Sequence, residues 1–118
     1  MFLSRIREAA RGLGLPVSSL PPGAELAEAC RDARPSLVLA DLDSPRRRAA
    51  EAVAALRADP ELATLPVVGF FSHVHAEKAE AARAAGFTRV LPRSAFVKAL
   101  ADILASAARA GEAPGGPS

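Results

Sequence analysis

The sequence predicts an α/β domain in which a parallel sheet is covered by helices on both faces. Three observations predict it. Segments with helical periodicity alternate strictly with short apolar runs, in the order α-β-α-β-α-β-α-β-α. Two of those runs, over residues 36–42 and 65–71, are nearly continuous apolar stretches, the pattern of strands buried on both faces. Gly and Pro stand at the joints between the periodic segments. The chain has 118 residues, half of them apolar, which suits one domain with a real core.

Each element has its own signal. Leu3, Ile6, Ala10 and Leu13 recur at helical spacing and Gly14 follows as a C-terminal stop, so residues 3–13 read as a helix. Residues 15–20 read as a short, weak strand, closed by Pro21, Pro22 and Gly23. A second helix is expected over residues 24–33, with Leu26, Ala29 and Cys30 on its apolar side. Pro35 introduces the apolar run that ends in Asp41 and Leu42, and Ser44-Pro45 opens a helix reaching about Ala58. A loop with Asp59-Pro60 leads to the strand ending in Gly69-Phe70-Phe71. An Ala-rich helix over 75–85 stops at Gly86, and residues 88–91 form a short strand. Ser94 is placed to cap the last helix, whose stripe is Phe96, Val97, Leu100, Ile103, Leu104 and Ala107. Residues 1–110 form the expected domain, and the Gly/Pro-rich residues 111–118 a disordered tail.

Composition narrows the function classes. No run approaches the roughly 18 apolar residues of a membrane span, and Arg5, Arg7 and Glu8 interrupt the N-terminus before a signal-peptide core can develop. The single cysteine, Cys30, excludes an intrachain disulfide and reads as a small core filler, so the expected location is the cytoplasm. The net charge is only +2 and Arg is scattered apart from Arg46, Arg47 and Arg48, which argues against a dedicated nucleic-acid binder. Neither a Ser/His/Asp nor a Cys/His arrangement is apparent, nor a phosphate-cradling Gly loop, so no enzymatic activity is expected. His73 and His75 lack the further ligands of a metal site.

From Pro35 to Leu104 the chain resembles a bacterial response-regulator receiver domain, the CheY-like form of the flavodoxin-like fold. Pro35-Ser36-Leu37-Val38-Leu39-Ala40-Asp41-Leu42-Asp43-Ser44-Pro45 is similar to that family's third strand and following loop. Leu56-Arg57 with Pro60 and Pro66-Val67-Val68 matches the next helix-to-strand passage, and Ala85-Gly86-Phe87 the turn before the last strand. Gly69-Phe70-Phe71-Ser72-His73-Val74 and Arg93-Ser94-Ala95-Phe96 also resemble a group of uncharacterised receiver-like proteins. The resemblance implies that Asp41 occupies the phosphoacceptor position and that Pro45 is the loop proline.

The departures outweigh the matches. The family's first strand, with the acidic pair that holds Mg²⁺, has no counterpart before the first helix, so four strands are visible instead of five. Its Thr/Ser switch position falls on Phe71, with Ser72 one residue later, and its phosphate-binding Lys falls on Arg93. Arg keeps the charge without the compact geometry of Lys. Asp43, Ser72 and Arg93 are therefore the candidate metal or phosphate neighbours of Asp41. Each has a plainer reading: Asp41 as a retained acid, solvated or paired with Arg93, and Asp43 as the start of a loop or a helix cap. Phe70 and Phe71 alternate to opposite faces of their strand and read as core, with Phe71 filling the space of a switch residue.

The candidate interaction surface combines Arg46, Arg47 and Arg48 with Phe87, Val90 and Phe96, the last three on the face that receivers commonly present to partners; the plainer reading makes those three core. Absence of the central first strand leaves three alternatives: its neighbours pair directly, a gap remains at an unpaired strand, or the protein begins upstream of Met1, which is the favoured expectation. The chain is accordingly expected to be a non-catalytic receiver-like signalling or scaffold module, acting through a protein partner or as a homodimer and needing no cofactor. Two alternatives are a phosphorylatable receiver using Asp41 and Mg²⁺, and weak nucleic-acid association through Arg46–Arg48.

Overall fold

The computed structural model describes residues 2–19, 25–43, 49–72 and 76–112. Within them the order is α1 (Phe2–Gly12), α2 (Leu26–Ala33), β1 (Val38–Asp41), α3 (Ala49–Ala58), β2 (Val67–Phe71), α4 (Ala76–Ala85), β3 (Arg89–Pro92) and α5 (Arg93–Glu112). The strands form one parallel sheet in the order β1-β2-β3. Val38 pairs with Val67 and Asp41 with Phe70, while Phe71 pairs with Pro92. The carboxyl ends of all three strands thus share one rim.

Helix ends are set by local chemistry. Gly14 has φ +71°, and the N–H groups of Gly14 and Leu15 donate to the carbonyls of Arg11 and Ala10, a Schellman closure of α1. Gly86, with φ +114°, closes α4 the same way through Gly86 N–H to Arg83 O and Phe87 N–H to Ala82 O. α2 ends differently. Arg34 takes the left-handed conformation itself, its N–H bonds Cys30 O, and Pro35 then forbids continuation.

Two apolar clusters sandwich the sheet. On one face Cys30 of α2, Val53 and Leu56 of α3 and Ala79 and Ala82 of α4 pack with Leu42, Val67, Phe87 and Val90. On the other, Ile6 and Ala10 of α1 pack with Val68 and Phe70 of β2 and Phe96, Leu100, Ile103 and Leu104 of α5. The alternating side chains of β2 feed both clusters, and Phe71 lies on the face opposite Phe70, as the strand period requires. Phe70 stacks on Phe96 with ring centroids 4.7 Å apart.

Four expectations need correction. Residues 15–19 form no strand, so three strands and not four make up the sheet among the described residues; Leu20 lies outside them. Leu15 and Val17 instead lean on the α1–α5 cluster, so burial of their side chains, not a ladder, places this segment. Phe87, Val90 and Phe96 are interior, at 7%, 9% and 0% exposure: the turn after α4 seats Phe87 in the α2–α3–α4 cluster, and the strand period and the helical stripe turn Val90 and Phe96 onto the sheet rather than outward. α5 begins at Arg93, which puts Ser94 inside its first turn rather than before it. The same helix runs to Glu112, past the domain boundary expected at 110, and residues 113–118 lie outside the described residues.

Candidate functional site

In open parallel α/β sheets, ligands and reaction centres gather where the strands end at their carboxyl termini. Here that rim is built by Asp41 closing β1, Phe71 closing β2 with Ser72 after it, and Arg93 opening α5 directly after β3. The parallel register brings these separated residues to the same side of the sheet. Sequence reasoning placed Asp41, Asp43, Ser72 and Arg93 together, and all four belong to this rim or to the loops leaving it.

The hydrogen bonds show how the rim is held. Asp41 Oδ1 accepts the backbone N–H of Asp43 at 2.9 Å, an Asx-type turn that directs the chain off β1. Asp43 Oδ2 accepts the backbone N–H of Ser72 at 2.7 Å, tying the loop after β1 to the loop after β2. The two acids thus act in series, one shaping the turn and the other bridging it to the neighbouring strand. Both are half-buried, whereas Ser72 is exposed. The Asp41–Arg93 pairing expected from the sequence is absent among the described residues, since the contact of Asp41 is with Asp43. Arg93 is half-buried, with its Nε shut off from solvent.

Phe71 sits where the sequence resemblance puts the switch residue, half-buried against the α2–α3–α4 cluster. Its ring therefore packs where a hydroxyl would otherwise reach toward the rim. Arg46, Arg47, Arg48, His73 and His75 lie outside the described residues.

Two features escaped sequence reasoning. Arg57 donates from Nε to Gly86 O at 3.0 Å and from a terminal nitrogen to Leu62 O at 3.1 Å, joining the end of α3 to the next loop and to the turn after α4. A basic residue near a helix C-terminus is too common for the sequence to single it out. Asp59 pairs with Arg31 at 2.7 Å and caps the Glu61 N–H at 2.9 Å, which the Asp-Pro turn signal alone could have flagged. The Arg31 hydrogen bond, then the Glu61 N–H, lower the Asp59 carboxyl below its ordinary range. Burial raises the Cys30 thiol, in keeping with its place in the core.

Among solved structures the chain is similar to several response regulators. The phosphorylated cyanobacterial phytochrome response regulator RcpA is 24% identical, with a TM-score of 0.67, over 86% of this chain and 79% of that one. A response regulator from Hahella chejuensis is 20% identical, with a TM-score of 0.74, over 89% and 85% of the two chains. The chemotaxis protein CheY4 of Vibrio cholerae is 20% identical, with a TM-score of 0.71, over 88% and 87%. No protein-family model matches the sequence, and no curated protein matches it significantly. Open parallel sheet, helices on both faces and an acid at the carboxyl rim of β1 together give this chain the response-regulator receiver fold, the CheY-like form of the flavodoxin-like architecture.

Proposed function

We propose that this chain is a non-catalytic receiver-type signalling or scaffold module that acts by binding protein, in the bacterial cytoplasm. The observation that carries the reading is the Asp41–Asp43–Ser72 chain of hydrogen bonds at the rim. Phosphoryl transfer to a carboxylate requires a cation to offset the charge collecting on the moving group. Mg²⁺ demands near-octahedral oxygen ligands anchored by carboxylates. Among the described residues the rim offers two acids, Asp41 and Asp43, with no third beside them. The Asp43 oxygen nearest β2 is committed to a backbone N–H, one Asp41 oxygen is committed to another, and no group of three or more His, Cys, Asp or Glu converges among the described residues. Phe71 in place of a hydroxyl supports the same reading, because it removes the group that would follow a phosphoryl group into the rim. No helix of the described residues is long and apolar enough to cross a membrane.

The test is incubation of the whole chain with acetyl phosphate and Mg²⁺, followed by intact-mass analysis. The expected result is no phosphoryl adduct. An adduct that forms on the parent chain and disappears in Asp41→Asn would establish the phosphorylatable receiver and overturn the proposal.

A further inference from the structure

We draw no further inference here: the strongest candidate, the groove at the amino ends of β1 and β2 lined by Arg31, Arg34, Ser36, Glu61 and Thr64, sets its two guanidiniums among the Glu61 carboxylate, the Asp59 partner of Arg31 and the carbonyl end of α2, so nothing in the structure selects the charge or kind of ligand that would fill it.

Discussion

Gly69→Ala offers a sharp test of how tightly this core is specified. Gly69 lies in the middle of β2, between Ala40 and Val90 of the neighbouring strands. A Cβ built there would meet Phe87 Cε2 at 2.7 Å, Phe87 Cδ2 at 2.9 Å and Leu42 Cδ1 at 3.2 Å. Ordinary carbon–carbon contacts begin near 3.5 Å, so the Phe87 ring must retreat by about 0.8 Å. The ring is 7% exposed and packed among Val53, Leu56 and Ala82, so it cannot retreat without moving them. Overpacking of this kind costs about 1–3 kcal/mol. The lower backbone entropy of alanine in the unfolded chain offsets about 0.4–1 kcal/mol of that. The expected net loss is about 1–2 kcal/mol, read as a lower urea midpoint at unchanged slope. Phe87→Leu opens the space, so Gly69→Ala should cost about 1 kcal/mol less in that background, a coupling of the size that touching residues show. A Gly69→Ala chain as stable as its parent, or strictly additive single and double changes, would refute the reasoning. It would also return Phe87 to the surface role expected from the sequence, because a ring free to swing outward would make room at little cost.

Three other outcomes are expected. Arg57→Met should lower stability by about 2 kcal/mol in urea unfolding, since it leaves the half-buried Gly86 and Leu62 carbonyls without their charged donor. The depressed Asp59 carboxyl stabilises the fold above the ordinary aspartate value of about 3.9, and that contribution is lost as pH falls through its lowered value. Asp59→Asn should therefore flatten the acid limb of stability measured against pH. Cys30 is 3% exposed, with its thiol pushed up by burial, so a disulfide reagent should label it slowly in native buffer and rapidly in urea; equal rates would contradict its place in the core.

The rim illustrates where sequence reasoning reaches and where it stops. The apolar run ending at Asp41 is legible because a strand buried on both faces has no room for polar residues until it leaves the sheet. That Asp43 turns to the Ser72 N–H is not legible, because it depends on the spacing of two loops separated by a helix and a strand. Phe96 shows the same limit from another side. Its helical stripe marks it as apolar, but only the packing of α5 on β2, where it stacks on Phe70, makes it core rather than a partner contact.

The sequence by itself determined the order of elements from the second helix onward, the parallel sheet, the stops at Gly14 and Gly86 and the acid that ends β1, because periodicity, backbone freedom and burial act within a few residues of each position. Tertiary structure alone decided that residues 15–19 stay out of the sheet, and that Asp41 and Asp43 each accept a backbone N–H of the loops leaving the rim. Those outcomes depend on which distant segments meet, and a strand edge or a carboxylate takes its partner from whatever the fold brings within reach.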